Sequence, residues 1–302
     1  MTCAPRLTLQ NSELTLHLLP AWGGRIERLQ VRAHALDLLH PLDATAPFNP
    51  LDWPKGGAYP LIPYSNRIAG AQLDFAGQHH VLPHHPQALP HTLHGVSHSQ
   101  PWQVDDQSSH QARISLDYHG EHWPWPIRAE QHYRLQGHQL LMRLVLTNQG
   151  TSAMPGGVGL HPYFQANPGM KVSYRSGRQW QIADDYLATG QCTIGDRDHQ
   201  WAPQDGLAHT CAQYLSQYGG EVTLDYPQGR LTLIAGQHLD HLVVFAPAGA
   251  PYLCIEPVSH LANGFNLAQQ LGELSGTQVI EPGASLSTTL CLQWHEPPQQ
   301  PG

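Results

Sequence analysis

Residues 139–150 read QLLMRLVLTNQG, a run whose apolar and polar character alternates with a period of two before Asn and Gly close it. Successive side chains of an extended chain point to opposite faces, so this pattern marks a half-buried strand ended by a turn. The same reading applies to LTLHLLP (14–20), ARISLDYHG (112–120), EVTLDYPQG (221–229), RLTLIAG (230–236) and LSTTLCLQW (286–294). Strands therefore run from end to end, and the fold class is all-β. Two antiparallel sheets packed face to face, a large β-sandwich, are the expected architecture. No Ser/Gly linker divides the chain and no repeat of ~20–50 residues is evident. Residues 1–294 are thus expected to form a single domain, with HEPPQQPG (295–302) a disordered tail. Only LANGFNLAQQLGELSG (261–276) reads as helical. The segments 41–102 and 178–210 show the least alternation and are expected to be irregular loops lining a binding site.

Composition supports many turns and few charged helices: of 302 residues 13% are charged, against 28 Gly and 26 Pro. Net charge is −8 with no basic stretch, which argues against nucleic acid or an anionic membrane as partner. No apolar run reaches the ~18–20 residues needed to span a bilayer, and the N-terminal residues lack the pattern of a secretory signal. Cys3, Cys192, Cys211, Cys254 and Cys291 are odd in number and form no CxxC pair, so reduced thiols in a cytoplasmic protein are expected. The 22 histidines outnumber the 15 Lys and Arg, and seven fall at 79, 80, 84, 85, 91, 94 and 98. A polar surface loop explains that cluster. A metal site is the alternative, but neither HExxH nor a common zinc spacing is present, so no metal is expected.

Four segments carry candidate chemistry. GLHPYF (159–164) follows the glycine-rich MPGGVG and sets His161 beside Tyr163 and Phe164. Aromatic faces hold sugar rings, and an imidazole exchanges protons near neutral pH. Pro162 disfavours the helical region for His161, which should be extended. CIEPVSH (254–260) places one carboxylate, Glu256, in an apolar strand, where it needs a partner or a function. GAYPLIPYSNRIAG (57–70) supplies the polar anchors Asn66 and Arg67, and LPHTLHGVSHSQPWQV (89–104) supplies His94. Arg67 can equally be the partner of a core carboxylate, and His94 a hydrogen-bonded structural histidine. No GxSxG elbow and no glycine-rich phosphate loop occurs. One acid and one base point to proton transfer on a neutral, hydroxyl-rich substrate, with the two groups at opposite edges of a pyranose.

PLIPYSNRI, LHG, GLHPYF, the late IEP and the closing VIEPGASLSTTLCL (279–292) occur in order, and with them the chain resembles the aldose 1-epimerase (mutarotase) family from about residue 13 to 294. The resemblance implies a supersandwich fold, no cofactor, and interconversion of the α and β anomers of a free monosaccharide by a monomer or homodimer. It gives Glu256 as general base at the C1 hydroxyl and His161 as general acid at the ring oxygen, with Arg67 and His94 as substrate-binding positions; Asn66 and Tyr163 are further binding candidates. Where the family often carries a sugar-binding Asp, this chain has Ala208 or Ala212, with Asp205 displaced. That departure leaves two alternatives: a hexose 6-phosphate substrate, using Arg175 and Arg178, or a non-catalytic carbohydrate-binding protein on the same fold.

Overall fold

A computed structural model describes residues 5–45, 47–202 and 210–297. Eighteen strands among them join into one continuous sheet whose strand-to-strand pairings are all antiparallel. The Gln139–Asn148 strand sits inside it, hydrogen-bonded to Trp123–Gln136 on one side and Ser285–His295 on the other. Its alternation has the expected cause: Leu140, Met142, Leu144 and Leu146 are buried on one face. A single apolar cluster extends from Leu7 to Trp294 and gathers Leu9, Leu16, Ile114, Ile127, Leu144 and Leu233. Strands that share no ladder also meet through side chains. Gln131 Nε2 donates to Gly24 O at 3.0 Å, packing the Trp123–Gln136 strand against the turn at Gly23–Gly24. The expected all-β sandwich architecture is met, with its strands hydrogen-bonded into one large antiparallel sheet around the core.

Irregular structure is confined more narrowly than the sequence pattern suggests. Residues 41–102 hold only short strands such as Ala58–Pro60 and Thr92–Leu93, as expected. By contrast, 178–201 is not a loop. Lys171–Ile182 and Ala188–Trp201 form a long hairpin, and residues 203–209, with Asp205 and Ala208, lie outside the described residues. Most of the second strand is solvent-exposed beyond Ala188, so it has no buried face to impose a period of two. The helix falls inside the expected segment, at Gly264–Leu271. Of the expected tail, His295 instead closes the last strand, and Glu296 accepts the Trp294 indole N–H at 2.9 Å and pairs with His34 at 2.7 Å. Residues 298–302 lie outside the described residues. No helix of the described residues is long and apolar enough to cross a membrane.

Candidate active site

Strand register brings the two candidate proton-transfer groups together. The Leu160–Gln165 strand pairs with Tyr252–Val258 so that Tyr163 faces Cys254, while a bridge sets Gly159 opposite Val258. The same register puts His161 opposite Glu256, and directly opposed side chains on one face lie within ~4.5–5.5 Å at Cβ. Their tips are closer: His161 Nε2 lies 3.3 Å from Glu256 Oε1. Both residues are buried, 7% and 3% exposed. They therefore stand side by side rather than at opposite edges of a pyranose. That arrangement suits two oxygens attached to one carbon better than two edges of a ring.

His161 is extended, as Pro162 requires, and also pairs with Tyr59 of the Ala58–Pro60 strand. Its ring is held between Tyr59 and Tyr163, with centroids 4.6 and 4.7 Å away and interplanar angles of 23° and 27°. Beneath Tyr59 lies the guanidinium of the fully buried Arg25, 4.3 Å from that ring's centroid. Burial pushes the His161 imidazole down to about 3, and Arg25 and Lys55 add to the shift. Burial pushes the Glu256 carboxyl up to about 8, opposed by Arg67. Near neutral pH burial thus favours the pair holding one proton, on Glu256. His161 Nδ1 and Glu256 Oε2 have no hydrogen-bond partner among the described residues.

Asn66, Arg67, His94 and Tyr163 line the same cavity of about 240 Å³. Asn66 has φ of 59° and His94 of 62°, and Gly95 follows at 69°. At Gly95 a Cβ would lie 2.4 Å from Ile62 O, so only glycine fits the turn that presents His94. His94 Nδ1 accepts the Asn66 N–H at 3.1 Å, which leaves Nε2 as the protonated nitrogen of the neutral ring. Burial, with His161 and His98 next, holds that ring well below the usual histidine range. Arg67 Nη1 donates to Asn66 Oδ1 at 3.3 Å, and its guanidinium lies 4.9 Å from the Tyr186 ring centroid. The reading of Arg67 as the partner of a core carboxylate is not met, since no ion pair joins it to one among the described residues.

Other expectations are corrected. His85, His91, His94 and His98 are buried, not part of a surface loop; His94 and His98 pack edge-on to Trp53. A neutral imidazole behaves as a small aromatic, which its polar label conceals. His79 pairs with Asp74 at the surface. Arg175 and Arg178 do not line the cavity: Arg175 pairs with Asp198 at 2.9 Å on the sheet surface. Ala212 does line it, and Ala208 lies outside the described residues. Sequence reasoning missed Trp53, Lys55, Tyr186, Tyr214 and Phe245, which complete the wall. WPKGG in an otherwise irregular stretch was the available signal for the first two. A larger depression of about 690 Å³, lined by Arg113, His132 and Arg143 among others, lies on a sheet face and holds none of the candidate residues.

His161, Cys254 and Glu256 offer three donor atoms within 4.8 Å of one another, the spacing of a metal site. The surroundings oppose a divalent cation. Burial, then Glu256, holds the Cys254 thiol well above the usual range, so it stays protonated. Arg25 and Lys55 make the field at His161 positive.

The Glu256 carboxyl's folded value lies above its unfolded one, so the native state keeps an extra proton between about 4.5 and about 8 and loses stability as pH rises through that window. We expect the wild type to lose about 3 kcal/mol more than Glu256→Gln between pH 5 and pH 8. Denaturant unfolding at both pH values measures it; parallel losses in the two proteins would show that Glu256 titrates normally.

A family model described as aldose 1-epimerase matches residues 5–293. Uncharacterized protein YphB of Escherichia coli K12 is 23% identical over 245 residues, covering 78% of this chain and 82% of its own. Among solved structures, a putative aldose 1-epimerase from E. coli K12 superposes with a TM-score of 0.81 at 20% identity, covering 97% of this chain and 99% of that one. A galactose mutarotase-like protein from Clostridium acetobutylicum gives 0.83 at 17% identity, covering 96% and 95%.

Proposed function

This chain belongs to the aldose 1-epimerase family, and on that premise we propose that it interconverts the α and β anomers of a monosaccharide without a cofactor. The observation that carries the reading is the buried cross-strand contact of His161 Nε2 with Glu256 Oε1 at 3.3 Å, inside a cavity sized for one sugar ring. A pyranose presents its C1 hydroxyl and its ring oxygen on the same carbon, so one adjacent base and one adjacent acid serve both. In ring opening, Glu256 takes the O1 proton, the C1–O5 bond breaks, and His161 protonates O5. The aldehyde results, C1–C2 rotates, and closure on the other face returns both protons. The pair holds one proton throughout: on His161 before opening, on Glu256 after it. The state that burial favours, with Glu256 protonated, is the one that meets the open chain.

His94 Nε2–H is available as a donor beside His161, their ring centroids 5.2 Å apart, and supports charge building at O5. Tyr163 presents an aromatic face, and Asn66 and Arg67 supply donors for hydroxyls. The free thiols of Cys192, Cys211, Cys254 and Cys291 support a reducing, cytoplasmic setting.

Polarimetry on freshly dissolved pure anomers of several aldoses tests the reading. A catalysed rate above the buffer blank, unchanged by exhaustive EDTA treatment, is expected for at least one sugar. Binding with no acceleration for any of them would make the protein a carbohydrate binder, and loss of activity with EDTA would restore the metal reading of the His161–Cys254–Glu256 cluster.

A further inference from the structure

We propose that the natural substrate is an aldose bearing an anionic group, a carboxylate or a phosphate ester, held at the cavity mouth by Lys55; this rests on the anomer-interconversion reading above. The argument starts from what the cavity wall contains. Lys55 and Arg67 are its two permanent cations, and Glu256 is its one carboxylate among the described residues. Because burial keeps Glu256 protonated near neutrality, the wall carries an excess of positive charge in a chain whose net charge is −8. Ala212 adds to the imbalance: at this position on the wall stands a methyl group, not an acid.

Lys55 is half-buried. Its Nζ lies 4.2 Å from the Trp53 ring centroid and donates a 3.3 Å hydrogen bond to the neutral Gln87 Oε1. No ion pair joins it to a carboxylate among the described residues. Asp52 is the nearest acid to act on it, and Asp52 Oδ1 is engaged by Gln87 Nε2 at 2.6 Å. Burial, rather than any partner, is the largest influence on the ammonium. A partly desolvated cation with no ion-pair partner carries a cost, and sugar hydroxyls return only part of it. An anionic oxygen returns more, through a charge-assisted hydrogen bond.

Placement selects which part of the sugar meets Lys55. Trp53 joins it to the reactive centre, its indole N–H donating to Tyr163 Oη at 3.1 Å. The field of Lys55 acts on His161 and Cys254, while that of Arg67 acts on Glu256. Lys55 stands over Trp53, whereas Arg67 stands against Asn66 and Tyr186, so the two cations belong to different parts of the wall. Arg67 is engaged by Asn66 beside Glu256, which leaves Lys55 for a substituent remote from C1.

The test compares catalysed anomer exchange, measured by NMR, for D-glucose and D-galactose against glucuronate, galacturonate and glucose 6-phosphate. At low salt we expect kcat/KM for one acidic sugar to exceed that of its neutral parent at least ~10-fold, with the advantage shrinking as salt rises. A uronate advantage identifies the carboxylate, a 6-phosphate advantage the ester. Lys55→Met is expected to lower the acidic-to-neutral ratio at least ~10-fold and Lys55→Arg to restore most of it. Turnover of neutral sugars with no acidic preference in the wild type overturns this proposal and leaves the anomer reading intact. A ratio unchanged in Lys55→Met overturns the role of Lys55. No exchange with any sugar overturns the anomer reading itself, and this proposal with it.

Discussion

Glu256→Gln is expected to lower turnover at least ~100-fold, and up to ~10⁴-fold, while sugar binding stays measurable. The amide keeps the volume and one acceptor oxygen of the carboxyl, so the 240 Å³ cavity and its aromatic walls are preserved. What it lacks is the ability to take the O1 proton or to return it. Buried position makes the loss severe, since Glu256 is 3% exposed and no other carboxylate among the described residues lines the cavity to substitute for it. Steady-state exchange rates and calorimetric titration with the same sugar separate the two effects. Near-normal turnover would remove Glu256 from the chemistry. Loss of binding together with turnover would make it an anchor and not a base.

His161→Asn is expected to have a loss of the same order, ~10²–10⁴-fold, with a distinct signature. The pair works only while it shares one proton, so wild-type kcat/KM should fall as pH rises through about 8, where Glu256 ionises with His161 already neutral. Removing the imbazole's partner role, the asparagine variant should lose that alkaline limb along with its activity. The double variant Glu256→Gln/His161→Asn should be little slower than either single one, because groups that pass one proton between them act as a unit. Losses that multiply in the double variant would mean the two side chains act independently, against the 3.3 Å contact between them.

How much was legible in the chain follows from what each signal reports. Alternation in QLLMRLVLTNQG reports one wet and one dry face, and it located the strand at Gln139–Asn148 because that strand has both. It failed at Ala188–Trp201, where solvent meets most positions and nothing enforces a period. Glu256 and His161 stood out as a carboxylate in an apolar run and an imbedded histidine before proline, and the structure places both in one cavity. Their side-by-side arrangement was not legible. It comes from the register between two strands about a hundred residues apart, which local sequence does not encode. The aromatic wall was missed for a related reason. Trp53, Tyr186 and Tyr214 come from a loop, a hairpin turn and a strand interior, and each alone is an ordinary aromatic. The histidines at 85, 91, 94 and 98 were misplaced because a polar residue type was taken to mean exposure, whereas all four are buried and those at 85, 94 and 98 pack edge-on to Trp53.

The reactive pair hangs from neighbouring strands, while Trp53, Lys55 and Gln87 reach the cavity from the irregular 41–102 segment. On the proposed mechanism the proton-transfer pair and the groups around Lys55 stand on different elements, although the same segment also supplies His94 and the Ala58–Pro60 strand beside His161. A change of side chain at Lys55 or Gln87 would alter the cavity wall without touching the hydrogen-bonded ladder, whereas a change in length there would pull on residues 57–60, which bond to the His161 strand. Exchanging those side chains between relatives is accordingly a route to new sugar preferences on the same reactive pair, whereas a single-residue insertion in either strand would turn one partner away and silence every preference at once.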